Sequence, residues 1–100
     1  MKIRFILLAM CILSVQNILS QNIFKAIIKD NESKDILIGV NATLNKTTNG
    51  ASSDENGIIT ILNIPDGEQH ITFSYLGYET KTKSFLFPLP TTDPIEIFLE

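Results

Sequence analysis

From Ile23 onward, apolar residues recur at every second position rather than every third or fourth, a spacing that suits strands and excludes an amphipathic helix. Val40, Ala42 and Leu44 alternate with Asn41, Thr43 and Asn45. Ile59 and Ile61 share one parity, as do Ile71, Phe73 and Tyr75 against His70, Thr72 and Ser74, and Ile95, Ile97 and Leu99 against Glu96 and Glu100. Side chains on a strand point alternately to opposite faces, so the pattern describes sheets with one dry face and one wet face. The runs Ile23 to Lys29, Val40 to Leu44 opened by Gly39, Ile58 to Leu62, Gln69 to Leu76, Glu79 to Phe87 and Ile95 to Leu99, with a short piece at Gly50 to Ser53, predict an all-β fold. The expected architecture is an antiparallel, seven-stranded β-sandwich.

The breaks between these runs carry turn chemistry. Asp30 to Asp35 is a polar cluster. In Asp54-Glu55-Asn56-Gly57 the aspartate can accept hydrogen bonds from backbone amides and the glycine can take positive φ. In Ile64-Pro65-Asp66-Gly67, Pro65 is expected to fix φ at the first corner and Gly67 to relieve the exit. Pro88 and Pro90 stop pairing by removing donors. Within Ser74-Tyr-Leu-Gly-Tyr-Glu79, Gly77 falls on the core-facing parity after Phe73 and Tyr75, where a side chain would either overfill the core or block a bend, which predicts a bulge or corner where the strand changes direction. Tyr78 is expected to open the next strand and close one end of the sandwich, its hydroxyl reaching water or a backbone carbonyl.

Residues 1–20 read as an export signal and residues 21–100 as the domain. Met1 to Arg4 is basic, Phe5 to Val15 is apolar but shorter than a bilayer span, and Gln16 to Ser20 is more polar, with cleavage expected after Ser20. The single cysteine, Cys11, lies in the apolar run with Met10 where a lipid-attachment site wants a small residue, so it is read as signal-peptide filler. The domain therefore has no disulfide or thiolate metal site to hold it together. A chain this short buries roughly 60% of its unfolded surface, which makes its stability marginal. Of the eight basic residues Lys2 and Arg4 fall in the signal, leaving lysines alone against eleven acids. No basic patch is available to displace counterions from phosphates, so nucleic acid is not an expected partner.

The sequence Gly39-Val40-x-Ala42-x-Leu44, the turn Ser53-Asp54-Glu55-Asn56-Gly57, the turn Asn63-Ile64-Pro65-Asp66-Gly67 and the ending Phe73-Ser74-Tyr75-Leu76-Gly77-Tyr78-Glu79-Thr80 together resemble the carboxypeptidase-regulatory-like domain, a transthyretin-like sandwich. The Ser-Tyr-x-Gly-Tyr-Glu ending is similar to the version at the N-terminus of many TonB-dependent outer-membrane receptors of Bacteroidetes. The resemblance spans nearly all of residues 23–100. It departs from the family at Ala26 and Ile36, which stand where Gly and Pro are frequent, and at Gln69, where an aromatic is common. It implies an exported, non-catalytic domain, periplasmic and associated with the outer membrane, whose partners are a receptor plug and barrel or other periplasmic proteins. Because the chain stops at Glu100, a truncated or split receptor is the expectation. The alternative is a free-standing secreted sandwich that binds a protein or a carbohydrate, although no sugar-binding platform is evident and no tryptophan is present.

No catalytic, cofactor-binding or metal-binding residue is assigned, and no cofactor is expected. Zinc peptidase chemistry needs two histidines and a carboxylate on one metal, whereas this chain has His70 alone, on the wet parity of its strand. Asp54-x-Asn56-Gly57 lacks the spaced oxygen ligands and distal glutamate of a calcium loop. Sequons at Asn31, Asn41 and Asn45 are read as chance matches in a chain rich in Asn, Ile and Lys. The residues singled out are structural: Gly39, Asp54, Gly57, Pro65, Gly67, Gly77 and Tyr78.

Overall fold

A computed structural model describes residues 21–100. The expected signal and Cys11 lie outside the described residues. The strands are β1 (Gln21–Asp30), β2 (Asn41–Leu44), β3 (Gly50–Ser52), β4 (Ile58–Pro65), β5 (Gly67–Ser74), β6 (Lys81–Phe87) and β7 (Ile95–Leu99). They form a three-stranded sheet, β4-β1-β7, and a four-stranded sheet, β3-β2-β5-β6.

The alternation seen in the sequence decides which side chains are buried. Val40, Ala42, Leu44, Ile59, Ile61, Ile71, Phe73, Ile97 and Leu99 are all inside, while their polar neighbours face out. Phe24, fully buried on the central strand β1, packs across to the other sheet, with ring centroids 6.3 Å from Phe73, 4.9 Å from Phe85 and 6.4 Å from Phe87.

One feature of the expected architecture is corrected. The sandwich is not purely antiparallel, because β1 runs parallel to β7, with Ala26 opposite Ile95 and Asp30 opposite Leu99. Period-two patterning reports which face of a strand is dry and carries no information about the partner's direction. Here the first and last strands of the domain meet after the chain has passed through the other sheet.

The bulge sits elsewhere than expected. Between β1 and β4 the register moves from Asn22–Ile64 to Phe24–Ile61, so β4 carries one extra residue there. Asn63 takes φ 59° within that step, and the extra residue lets Ile61 and Ile64, three positions apart, both point inward. Pro65 is the last residue of β4, paired with Gln21, and not a turn corner; Gly67 is the first residue of β5, opposite Phe87. Only Asp66 lies between them, because the chain is passing from one sheet to the other rather than folding back as a hairpin.

All four sheet edges carry features that discourage strand addition. Strand β3 has three residues. On β4 the bulge is joined by the Asn49 side-chain amide, which donates to Leu62 O at 2.7 Å. On β7 the Lys81 ammonium donates to Phe98 O at 3.0 Å. On β6, Lys81 and Lys83 stand opposite the buried Phe73 and Ile71 and therefore share their inward parity, placing charge along that edge.

Candidate functional site

The sequence-singled residues gather at two places. The first is the junction from β3 to β4. The Asp54 carboxylate accepts from Asn56 N at 2.9 Å and Ile58 N at 3.0 Å, while Gly57 N donates to Asp54 O at 2.9 Å. Gly57 has φ +76° and is buried, and a Cβ there would lie 2.9 Å from Ile36 Cβ. Asp54 is a turn cap, as its sequence context predicts. Gly39, with φ +84°, precedes β2 rather than opening it and donates its N–H to Ser53 O at 2.9 Å.

The second place is the end of the sandwich where the β5–β6 connection meets the end of β1. Strand β5 stops at Ser74, and Tyr78 N donates to Tyr75 O at 3.1 Å across a turn. Gly77 lies at the third position of that turn with φ +90°, and a Cβ placed on it would have no neighbour within 4 Å. Of the two expectations for Gly77, an overfilled core or a blocked bend, the turn supports the second: the glycine is needed for the dihedral of a corner and not for space, because the strand has ended before it. Leu76, between the two tyrosines, is 96% exposed. Gly77→Val is expected to cost about 1–2 kcal/mol through the left-handed backbone alone, with Gly77→Asn milder, measured by urea denaturation.

Tyr78 also departs from its expected role. Strand β6 begins at Lys81, and the Tyr78 hydroxyl donates to the Asp30 carboxylate at 2.6 Å, tying the β5–β6 turn to the end of β1 across 48 positions of chain. Its ring lies half-buried against the core, with its centroid 5.6 Å from that of Tyr75. The other Asp30 oxygen accepts from Glu32 N at 2.8 Å and Ser33 N at 2.9 Å. These contacts hold the Asp30 carboxyl below its ordinary value, the Tyr78 hydroxyl contributing most and the Ser33 and Glu32 amides next. Reciprocally, the hydrogen bond to Asp30 pushes the Tyr78 phenol up.

A depressed carboxylate contributes stability above its unfolded pKa and loses it as pH falls through the folded value. A raised phenol contributes below its unfolded pKa and loses it as pH rises through the folded value. Melting temperature measured against pH is therefore expected to fall less steeply in Tyr78→Phe than in the parent, both below the ordinary Asp value of 3.8 and above the ordinary Tyr value of 10.0. The acid limb should be reduced and not abolished, since the two amides on Asp30 remain.

His70 is exposed on the outer face of the four-stranded sheet, where its Nδ1 lies 2.8 Å from Ser84 Oγ and its Nε2 lies 3.9 Å from Glu68. His70 and Glu68 border an open cleft whose other walls are Thr43, Asn45, Lys46, Gln69 and Thr72. Among the described residues no group of three His, Cys, Asp or Glu side chains is placed to hold a metal ion. No helix among them is long and apolar enough to cross a membrane.

Ser53 is the buried polar residue that sequence reasoning did not single out. Its hydroxyl donates to Leu37 O at 2.7 Å and accepts from Val40 N at 2.8 Å, joining the β1–β2 connection to the end of β3. The signal was present, since Ser53 continues the inward parity of Ala51.

The family model described as CarboxypepD_reg-like domain matches residues 27–99. The chain belongs to that family. The CarboxypepD_reg-like domain is a β-sandwich of a regulatory, non-catalytic type, and the turns singled out here cap and connect its strands. No curated protein and no solved structure matches the chain.

Proposed function

We propose that this CarboxypepD_reg-like domain is an exported, non-catalytic interaction module: the periplasmic N-terminal domain of a TonB-dependent outer-membrane receptor for glycans or other large nutrients. The observation that carries the reading is the Ser74–Glu79 turn. Within a family-matched sandwich, the sequence type associated with such receptors forms a specific local structure, the Gly77 turn held by the Tyr78–Asp30 hydrogen bond. A turn held in one form by this hydrogen bond suits docking and orientation. The domain's role is then to contact periplasmic parts of the receptor or of its energising machinery, and transport itself belongs to a barrel.

Two measurements test this. Reading the gene region immediately downstream should reveal, in frame or across a frameshift, a plug and barrel; a terminator followed by an unrelated gene would overturn the receptor context in favour of a free-standing exported sandwich. Cell fractionation with an antibody to residues 21–100 should place the chain in the periplasm or at the outer membrane, and a cytoplasmic location would overturn export.

A further inference from the structure

The two outward faces of the sandwich are chemically unlike. On the four-stranded sheet the outward positions are mostly Ser, Thr, Asn, His and Glu, for example Thr43 opposite Thr72 and Thr72 opposite Thr82, with Leu86 opposite Glu68 as the exposed apolar exception. On the three-stranded sheet they are largely aliphatic. Ile27 stands opposite Ile58, and Ile23 lies at the bulge, where Leu62 and Asn63 fall between the flanking Asn22–Ile64 and Phe24–Ile61 pairs. Ile36 bridges to Lys29 and continues the same face, with Phe98 on the far side of Lys29. Ile23 is 58%, Leu62 52% and Ile36 40% exposed. Exposed apolar side chains of this kind, here on either side of the Lys25–Thr60 pair, mark an interaction site.

Charge says what covers it. Lys25 and Lys29 lie on this face, and Lys34 reaches its rim with Nζ 4.8 Å over the Phe98 ring. At the outward strand positions of this sheet the one acid is Glu96, already bound to Lys29 at 3.1 Å, while Glu32 and Asp35 flank Lys34 in its loop. An otherwise acidic domain thus gathers positive charge where it is most apolar. A second copy would bring like charges together. A lipid surface would have to take in Lys25, which sits between Ile23 and Ile27 in one column rather than at the rim. With the sheet edges guarded, this face is the unblocked route to a partner.

We propose that the outward face of β4-β1-β7 docks a protein surface that is aliphatic and acidic, with Leu62, Ile23 and Ile27 as its apolar anchors and Lys25 as its charged one. The proposal stands whether or not the chain is part of a receptor. The test uses the purified chain and two short synthetic peptides, one alternating Glu and Leu and one alternating Lys and Leu. The acidic peptide is expected to shift the backbone amide resonances of Ile23, Ile27, Ile58 and Leu62, with binding that weakens as salt is raised. Leu62→Gln should weaken it about tenfold and Lys25→Glu about fivefold or more, both exposed changes that leave the fold intact. Equal binding of the basic peptide, shifts confined to another face, or no shifts at all would overturn the proposal. So would a concentration-dependent dimer in sedimentation that Leu62→Gln abolishes, which assigns the face to a second copy, or co-sedimentation with phosphatidylglycerol vesicles, which assigns it to lipid.

Discussion

Phe24→Ala is expected to destabilise the domain by about 3–5 kcal/mol, the range for removing a buried phenylalanine from a core that cannot collapse around the gap. Phe24 is fully buried on the middle strand of the smaller sheet, and its ring meets Phe73, Phe85 and Phe87 of the larger one, so its removal separates the two layers where they interlock. The whole stability of a domain of this size is on the order of 4–12 kcal/mol. Losing that much leaves a chain partly or wholly unfolded at ambient temperature. Urea unfolding followed by circular dichroism should show the midpoint falling sharply, whereas Phe24→Leu, which keeps most of the volume, should cost under about 1.5 kcal/mol. Comparable loss in both variants would mean that the aromatic contacts, rather than filled volume, hold the layers together.

Strands and their dry faces were legible because each depends on neighbours two positions apart. Ile71 and Phe73, or Ile97 and Leu99, state their burial within a few residues of sequence, and the structure buries them. Turn caps such as Asp54 were legible for the same reason: donor and acceptor lie within four positions. What escaped notice is what distance in the chain conceals. The parallel pairing of β1 with β7 is settled by the path of the chain between them. The bulge at Asn63 shows only as an apolar spacing of three between Ile61 and Ile64, which resembles an interruption of the strand.

The candidate site divides along the same line. Gly77 was correctly singled out as a corner where the backbone needs glycine, and of the two reasons its position offered only the crowding of the core fails, because a parity argument holds only while the strand continues and β5 ends at Ser74. Tyr78 was recognised as a residue whose hydroxyl needs a partner, but Asp30 is one of many acids that could have answered. The apolar side chains on the outward face of the three-stranded sheet were likewise invisible as a group, since they gather only when the register places Ile27 opposite Ile58 and Ile23 at the bulge near Leu62.

Ser53→Ala should be the most damaging polar change in the described domain, at about 2–4 kcal/mol. The hydroxyl serves Val40 N–H and Leu37 C=O at once, and its loss leaves both without that partner, each at a cost of roughly 1–3 kcal/mol where water does not reach them. Backbone bonds between Ser53 and Val40 remain in the variant, so the segment should stay in place while its protection weakens. Hydrogen exchange should therefore rise first at the Val40 amide. The neighbouring Ser52→Ala provides the control: Ser52 is exposed and its hydroxyl meets only the exposed Asn41 side chain, so stability should change by less than about 0.5 kcal/mol. If the two variants unfolded at the same urea concentration, the Ser53 bridge would contribute nothing beyond its backbone. The β1–β2 connection would then be held by its apolar residues alone, Val40 and Leu37 foremost, with the Leu37 N–H still bonded to Ile28 O at 2.9 Å.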